Sequence, residues 1–244
     1  MIAVYNVENC IRRCLDSVVD QKFDDVEVIV IDGNSRDGTV EIVKEHPVVS
    51  KWLSEPDEGI YDAWNKGISL AEGKWVIFLG ADDYLGADAL KYLAEYCISH
   101  DNLDYVSGKV GWVDTSGQLL KTVGSCWEWK KFRKWMNVAH PGSAHNIELY
   151  KYVGLYSKSF DIVGDYELLL RKGCKLNAGY VDFIVAYMEV GGVSFMSVKS
   201  IYEAYLARKL HCTVSRLKNI YFFCLSYVKL KLKVHLIKLR IILS

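Results

Sequence analysis

The stretch Lys74-Trp75-Val76-Ile77-Phe78-Leu79-Gly80-Ala81-Asp82-Asp83 decides the fold class of this chain. A short apolar run with the composition of a buried strand stops at two adjacent carboxylates. Aspartate is a poor strand former, and two neighbouring carboxylates repel each other unless a cation binds them. In open α/β sheets, ligands bind at the carboxyl ends of strands. The stretch therefore indicates either a site for a hard divalent cation and phosphate oxygens, or a solvated turn before a helix.

Strands and helices alternate through the first hundred residues of the chain. Apolar runs at residues 26–31 and 76–79 predict buried strands, and residues 52–55 predict a short one. Between the strands, apolar residues recur at helical spacing, which predicts helices over residues 9–19, 39–45, 59–71 and 88–98. This alternation is typical of an α/β, Rossmann-like fold: a mostly parallel central sheet with helices on both faces.

The second half of the chain predicts a mixed arrangement of strands and helices. Residues 105–113 and 118–123 are predicted strands around a turn, Asp114-Thr115-Ser116-Gly117, and residues 180–190 are a further predicted strand. Short helices are predicted over residues 149–154 and 166–172. We expect this half to complete the sheet and to form the second wall of a cleft.

Residues 204–244 differ from the rest of the chain in charge. All 30 Asp and Glu residues precede Ala204, whereas nine of the 30 Lys and Arg residues follow it. Residues 228–234 alternate with a period of two, which indicates a strand, but the absence of Gly and Pro from Thr213 onward favours a helix. We therefore predict a domain at residues 1–203 and a basic amphipathic helical tail. Such a tail fits an anionic membrane or nucleic acid, or a helix packed on the domain with a solvated basic face.

Composition argues against a disulfide-bonded, a zinc-stabilised or a membrane-spanning protein. The chain is 51% apolar and 25% charged, which is ordinary for a globular domain. Its seven cysteines form no Cys-x-x-Cys pair, which suits reduced thiols and argues against structural zinc. No run reaches the ~20 apolar residues that span a bilayer. The start of the chain resembles the end of a strand rather than a signal peptide.

Four motifs follow one another in a characteristic order. They are Tyr5-Asn6, Ile31-Asp32-Gly33-Asn34-Ser35-Arg36-Asp37-Gly38-Thr39, Gly80-Ala81-Asp82-Asp83 and Gly164-Asp165-Tyr166-Glu167-Leu168-Leu169-Leu170-Arg171. Together they resemble a family-2 glycosyltransferase with the GT-A fold, of the kind that builds bacterial surface polysaccharides. Residues 55–68 and 191–194 are also similar to segments of that family. The resemblance implies a nucleotide-sugar-binding half at residues 1–100 and an acceptor-side, catalytic half at residues 101–203.

The resemblance implies an inverting transfer of a sugar from a nucleotide diphosphate sugar, expected to be a UDP-sugar, to a hydroxyl acceptor. A divalent Mn²⁺ or Mg²⁺ ion would stabilise the departing diphosphate. Asp83 matches the family's metal ligand, and Asp82 matches the acid that contacts the donor ribose, or the metal through water. Asp165 matches the base that takes the proton of the acceptor hydroxyl. It opens a predicted helix, whose dipole keeps a carboxylate ionised.

Four more residues are candidates for donor binding, namely Tyr5, Asn6, Asp32 and Asp62. The resemblance places Asp32 where the family reads the nucleotide base, with the Tyr5 ring packed against that base. Asp62 stands where many relatives carry a basic residue near the donor. His140 is a candidate for the lining of the acceptor or diphosphate site.

The same residue types have structural uses. Asp165 fits a helix N-cap and Asp32 a turn residue, because aspartate is favoured at both positions. Tyr5 also fits a core position. His140 also fits a loop or core histidine, since a buried histidine need not be functional.

The sequence departs from the family at three points. Relatives have several more apolar residues before Tyr5, so we expect a shortened first strand. Either the start codon is misplaced, or the chain has been trimmed, or the edge of the nucleotide site is damaged. Many relatives carry a second acid after the second strand that reads uracil, where this chain has Gly33. Relatives also often have an acid before the catalytic aspartate, where this chain has Gly164.

Three classes of function share this α/β layout. The first is a metal-dependent glycosyltransferase at the cytoplasmic membrane face, acting on a glycan or lipid-linked sugar, with its tail on the membrane and no nucleic-acid partner. The second is a sugar nucleotidyltransferase, but residues 7–10 lack the Gly-rich phosphate loop it needs. The third is a non-catalytic nucleotide-sugar-binding or scaffold relative. Gly33 favours this third class, whereas Asp82, Asp83 and Asp165 argue against it.

Overall fold

The computed structural model describes residues 1–190 and 197–243. The segment at residues 191–194, which carries part of the family resemblance, lies outside this range. The elements of the first hundred residues are β1 (Ile2–Val4), α1 (Ile11–Val19), β2 (Val28–Asp32), α2 (Thr39–Glu45), β3 (Val49–Ser54), α3 (Ile60–Leu70), β4 (Trp75–Ile77), β5 (Leu79–Gly80), β6 (Tyr84–Leu85) and α4 (Ala89–Ser99). Each predicted helix and strand of this half is present with its ends shifted by a few residues, except the strand predicted at residues 76–79, which forms two strands.

A parallel sheet forms the first half of the protein. Its strand order is β3-β2-β1-β5, and all its neighbouring strands run parallel. All five residues of β2 are buried, because helices cover both faces of the sheet. In register, Val4 pairs with Asp32 and Ala3 pairs with Gly80, so the carboxyl ends of three strands lie side by side.

The second half adds a mixed sheet. Its elements are β7 (Tyr105–Val113), β8 (Leu119–Val123), α5 (Trp129–Phe132), β9 (Ala144–Asn146), α6 (Ile147–Val153), α7 (Gly164–Lys172), β10 (Ala178–Glu189), α8 (Val198–Leu210) and α9 (Arg216–Leu243). The strand order is β4-β9-β7-β10-β6, with β8 paired to the edge of β7. Strands β7 and β10 run parallel, and their other pairings are antiparallel.

The predicted single strand at residues 76–79 is wrong in one respect, because it is divided between the two sheets. Strand β4 pairs antiparallel with β9, whereas β5 pairs parallel with β1. Phe78 lies at the change of sheet, with its side chain buried and its carbonyl accepting the Gly142 N–H at 3.0 Å. This crossing satisfies the backbone between the sheets and directs β5 toward the edge where Asp82 and Asp83 follow.

Two large apolar clusters hold these layers together. One joins the parallel sheet to α1 and α4, around Leu15, Val30 and Leu93. The other is rich in aromatic residues and joins α3, α6 and α7 to the mixed sheet, around Phe78 and Tyr105. Burial of a large side chain contributes about 1.5–3 kcal/mol, so the two clusters supply most of the driving force for folding.

The C-terminal segment is helical, as the sequence predicts, but it forms two helices, and α8 begins at Val198, before the predicted tail. Helix α8 crosses residue 203 and packs against the aromatic cluster through Ala204 and Ala207. Arg208, one of the nine basic residues of this segment, is only 4% exposed. Its Nε donates to Asn219 Oδ1 at 2.7 Å, which ties α9 to α8. Within residues 1–190 and 197–243, no helix is both long and apolar enough to cross a bilayer.

Candidate active site

The carboxyl edge of the parallel sheet gathers most of the predicted donor-binding residues. Tyr5 and Asn6 follow β1, Asp32 ends β2, and the pair Asp82 and Asp83 follows β5. These three strands are direct neighbours in the sheet. Parallel strands present their carboxyl ends at one edge, and so the topology creates a crevice where ligands commonly bind.

Asp83 has the properties of a cation ligand. Its side chain belongs to a residue that is 5% exposed, and its Oδ1 is buried without a hydrogen-bond partner among the described residues. Burial raises the pKa of Asp83 to about 7, and the charge of Asp82 adds to that rise. An unpaired buried carboxylate is costly, so a bound cation would stabilise it strongly.

Gly80 allows the two carboxylates to fold back over the end of β5. A Cβ on residue 80 would lie 2.7 Å from Asp83 Oδ2 and 2.9 Å from Asp82 Oδ1. Any larger residue would displace both groups. In the part of the chain that the structure describes, no three His, Cys, Asp or Glu residues are arranged to hold a metal by themselves. The pair thus fits an ion such as Mg²⁺ or Mn²⁺ that takes one or two carboxylates and completes its shell with phosphate oxygens.

Arg13 is a member of this site that the sequence did not reveal. Its Nη2 donates to the Asp82 carbonyl at 2.7 Å and to Glu189 Oε2 at 3.0 Å. The guanidinium also lies over the ring of Tyr84, 5.2 Å from its centroid. Arg13 therefore places a positive charge beside the acidic pair. Arg13 and Glu189 are 176 positions apart, so no local pattern in the sequence could have joined them.

Asp32 is held rigidly at the end of β2. Its Oδ2 accepts hydrogen bonds from the Ser35 N–H at 3.0 Å and the Ser54 hydroxyl at 2.6 Å, and its Oδ1 accepts from the Ser35 hydroxyl. The residue is 2% exposed. These contacts order the turn after β2, which is the structural use that the sequence left open.

Tyr5 and Asn6 have different surroundings. Tyr5 is 60% exposed, so it is a surface residue at the edge of the crevice and not part of the core. Asn6 adopts a left-handed backbone conformation, with φ of 52°. Its Oδ1 accepts the Arg36 N–H at 2.8 Å, and its own N–H donates to Ser35 Oγ at 2.8 Å. Asn6 thus joins the turns after β1 and β2.

Asp62 already has partners within the protein. Its Oδ2 accepts the Glu58 N–H at 3.1 Å, and Lys158 and Lys66 lie 3.4 Å and 3.6 Å from its carboxylate oxygens. Burial alone would raise the pKa of Asp62, but the Glu58 N–H and the two lysines outweigh it and lower that pKa. The carboxylate therefore stabilises the start of α3.

Asp165 lies in the first turn of α7, as predicted, and does not cap it. The residue at the N-cap position is Val163, which makes no side-chain cap. Burial raises the pKa of Asp165, against the opposing effect of His140 and of hydrogen bonds from the Tyr166 N–H and Tyr61. Burial therefore outweighs the helix dipole that was expected to keep this carboxylate ionised, and Asp165 takes up a proton more readily than an exposed aspartate.

His140 lies beside Asp165 in an aromatic pocket. Its ring stacks on that of Trp64 with centroids 5.0 Å apart, and its Nε2 is buried without a hydrogen-bond partner among the described residues. Burial lowers the pKa of His140, and the negative charge of Asp165 opposes that shift. The structure therefore brings together the predicted base and the predicted acceptor-side histidine.

Tyr61 explains why residue 164 is a glycine. A Cβ on Gly164 would lie 2.7 Å from Tyr61 Cε2 and 2.8 Å from its Cζ. The ring of Tyr61 packs directly on the start of α7 and stacks on Tyr156 with centroids 5.4 Å apart. Burial raises the pKa of Tyr61, and the charge of Asp165 adds to the rise. Tyr61 lies within residues 55–68, which resemble a segment of the family, but its position beside Asp165 was not predicted.

Helix α8 fixes the segment that precedes Asp165. Glu203 is 5% exposed and accepts the N–H groups of Asp161 at 3.3 Å, Ile162 at 2.9 Å and Val163 at 3.2 Å. Just after α8, His211 contacts the Glu167 carboxylate of α7 at 2.6 Å. The sequence carried no signal for these contacts, because the partners are about forty positions apart in each case.

The chain is similar in sequence to known glycosyltransferases. The profile of glycosyl transferase family 2 matches residues 1–148. The chain belongs to this family. A PGL/p-HBAD biosynthesis glycosyltransferase of Mycobacterium tuberculosis (strain ATCC 25177 / H37Ra) is 30% identical over 205 residues, which are 80% of this chain and 77% of that protein. The chondroitin synthase of Pasteurella multocida (strain Pm70) is 27% identical over 178 residues, 70% of this chain but 18% of that enzyme.

Solved structures show the same fold. A Staphylococcus aureus TarS fragment, residues 1–349, in complex with UDP-GlcNAc gives a TM-score of 0.69 at 18% identity, covering 91% of this chain and 68% of that one. A mannosyltransferase from Pyrobaculum calidifontis with GDP-Man and Mn²⁺ gives 0.67 at 16% identity, covering 96% and 74%. The predicted GT-A fold and the family-2 glycosyltransferase resemblance are both confirmed.

Proposed function

We propose that this glycosyltransferase moves a sugar, with inversion, from a UDP-sugar to a hydroxyl of a glycan or lipid-linked acceptor in bacterial surface polysaccharide biosynthesis. The observation that carries the proposal is the buried Oδ1 of Asp83, which has no hydrogen-bond partner among the described residues and lies beside Asp82 at the carboxyl end of β5. A nucleotide diphosphate with its divalent cation supplies the charge that this pair lacks. Relatives in polysaccharide and glycolipid biosynthesis support the same reading.

Asp83 would hold the divalent ion, and Asp82 would contact the donor ribose or a water on that ion. The ion, Mn²⁺ or Mg²⁺, supplies electrostatic stabilisation of the departing diphosphate. The guanidinium of Arg13 reaches the Asp82 carbonyl and adds a second positive charge at this edge. The complexes of structural neighbours with UDP-GlcNAc and with GDP-Man and Mn²⁺ support a nucleotide-sugar donor.

Asp165 would act as the general base. Inversion requires the acceptor hydroxyl to attack the anomeric carbon from the face opposite the leaving diphosphate. As the new C–O bond forms and the bond to the diphosphate breaks, the hydroxyl proton passes to the Asp165 carboxylate. Its raised pKa makes Asp165 a better proton acceptor than an ordinary surface aspartate. His140 and Trp64 would form a wall of the acceptor pocket next to it.

The decisive experiment is calorimetry of donor binding combined with single-turnover transfer. We expect UDP-sugar binding that requires Mn²⁺. We expect Asp83→Asn to lose this Mn²⁺-dependent binding. Asp165→Asn should retain donor binding and lose transfer by a factor of about 10² or more, because general-base catalysis contributes 10²–10⁴. Asp101→Asn, a change of an exposed aspartate in a turn, is the matched control.

Two outcomes would contradict parts of this proposal. Retained turnover in Asp165→Asn would remove that residue as the base. Metal-dependent binding of a nucleotide sugar without transfer to any acceptor would favour a binding or scaffold protein with the same fold.

We also propose that the C-terminal helices contact the cytoplasmic face of the membrane, where a lipid-linked acceptor would be found. Residues 204–244 contain nine basic and no acidic residues. The described part of α9 also exposes large apolar side chains: Leu217 (81%), Tyr221 (60%), Leu232 (58%) and Val228 (52%). Basic and apolar residues on one interfacial helix bind anionic lipid surfaces.

Vesicle sedimentation tests the membrane contact. Because Asn219 bonds Arg208, the truncation should remove residues 227–244 and leave that contact intact. We expect the full chain to bind phosphatidylglycerol vesicles and the truncated chain to lose most of that binding. Phosphatidylcholine vesicles are the control for charge. Equal sedimentation of the two chains with anionic vesicles would rule out a contact through residues 227–244 of α9.

A further inference from the structure

A carboxylate from another loop fills the space beside Gly33. A Cβ on Gly33 would lie 2.6 Å from Asp57 Oδ2 and 3.2 Å from Asp57 Cγ. Gly33 directly follows Asp32 at the end of β2, and Asp57 lies in the loop between β3 and α3. The missing side chain at residue 33 is therefore what allows the Asp57 carboxylate to lie across the end of β2.

Asp57 is oriented with one oxygen engaged and one available. Its Oδ1 accepts the Gly59 N–H at 2.9 Å, and Gly59 has a left-handed φ of 110° that suits glycine. Among the described residues, Oδ2 has no hydrogen-bond or salt-bridge partner. The carboxylate is thus fixed by its own loop, and its second oxygen is an acceptor beside Gly33 at the end of β2.

An exposed aromatic ring belongs to the same corner. The Gly33 N–H donates to the Val4 carbonyl at 2.9 Å. Because Tyr5 directly follows Val4, its backbone lies next to Gly33. Tyr5 is 60% exposed, and an aromatic ring at a binding edge can stack on any nucleobase, for about 1–3 kcal/mol. Stacking does not distinguish one base from another, so selectivity must come from a hydrogen-bonding group nearby.

We propose that Asp57 selects the nucleobase of the donor by accepting a ring N–H. This inference rests on the proposed nucleotide-sugar donor. Uracil presents N3–H and guanine presents N1–H at their pairing edges, and an ionised carboxylate can only accept such a proton. Cytosine N3 and adenine N1 are themselves acceptors, so each would leave Asp57 Oδ2 facing a lone pair. A site built on a hydrogen bond rejects partners that cannot form it.

Competition binding of four nucleotides tests this role. UDP, GDP, CDP and ADP, each with Mn²⁺, are titrated into the wild-type chain, Asp57→Asn and the neighbouring control Glu58→Gln. We expect wild type to bind UDP or GDP at least about 10-fold more tightly than CDP and ADP, on the scale of one hydrogen bond to a charged group. Asp57→Asn should reduce that ratio about 10-fold, since its amide can donate to cytosine. Glu58→Gln should leave it unchanged.

Gly33→Ala provides an independent arm that keeps Asp57. Its Cβ would push the carboxylate aside, so the same loss of selectivity is expected although no charge has been removed. Thermal unfolding of each variant confirms that it is folded, and Mn²⁺–pyrophosphate binding should be equal in all of them. If wild type binds the four nucleotides equally, or if Asp57→Asn keeps the wild-type ratio, Asp57 does not read the base. If wild type binds no nucleotide, the proposed donor itself is wrong.

Discussion

Removing the Glu203 carboxylate should loosen the segment that leads into Asp165. Glu203 is buried on α8 and accepts three consecutive backbone N–H groups, from residues 161 to 163. In Glu203→Ala all three donors lose their acceptor at once. In Glu203→Gln one amide oxygen stays in place, but the negative charge near the start of α7 is gone.

The structure allows the size of the effect to be worked out. A hydrogen bond to a charged group contributes about 1.5–3 kcal/mol, and contributions that share one acceptor are not additive. We therefore expect Glu203→Ala to lower the free energy of unfolding by about 3–5 kcal/mol. Since an amide oxygen can still serve two donors, Glu203→Gln should cost about 1–2 kcal/mol. Against a total stability of about 5–15 kcal/mol, the first change is severe and the second tolerable.

Urea denaturation followed by circular dichroism measures both variants, with Lys209→Ala on the exposed face of α8 as the control. In Glu203→Gln we also expect kcat for transfer to fall while the donor KM stays near wild type, because the disturbed residues precede Asp165 and not the donor edge. A loss of stability below about 0.5 kcal/mol in Glu203→Ala, the level of an ordinary surface change, would refute the reasoning.

Three further predictions concern individual site residues. Because the folded-state pKa of Asp83 is raised to about 7, ionisation opposes folding, and the metal-free wild type should lose stability as pH rises from about 4 to 7. Metal-free Asp83→Asn should avoid that loss. In denaturation at pH 8, its free energy of unfolding should exceed that of wild type by up to roughly 4 kcal/mol. If this difference does not grow with pH, the argument from burial is wrong. Since a base must be ionised, kcat/KM should fall with decreasing pH through a pKa above the usual aspartate value, and this limb should vanish in Asp165→Asn. Gly164→Ala should lower kcat at unchanged donor binding, because its Cβ would displace Tyr61. The control Gly117→Ala, in an exposed turn, should not lower kcat. Full activity in Gly164→Ala would show that the Tyr61 packing is dispensable.

The sequence was sufficient for the elements whose pattern is local. Helix α2 was predicted to the residue, and β2 and α3 to within two residues, because apolar periodicity and turn residues are read within one segment. The family motifs likewise placed Asp83 and Asp165 at the ends of the correct elements. The start of helix α8 at Val198, before the predicted tail, was missed because much of the buried face of this helix is made of groups such as Glu203 and Arg208, which apolar periodicity cannot detect.

What the sequence by itself determined is the alternation of strands and helices, the family, and the identity of the acidic residues at strand and helix ends. Only the tertiary structure divided one apolar run between two sheets at Phe78, brought Arg13 to Glu189, and filled the space at Gly33 with Asp57. The physical reason is the range of each interaction. Propensity and periodicity act between near neighbours, whereas burial, ion pairing and close packing join residues that only the folded chain brings together.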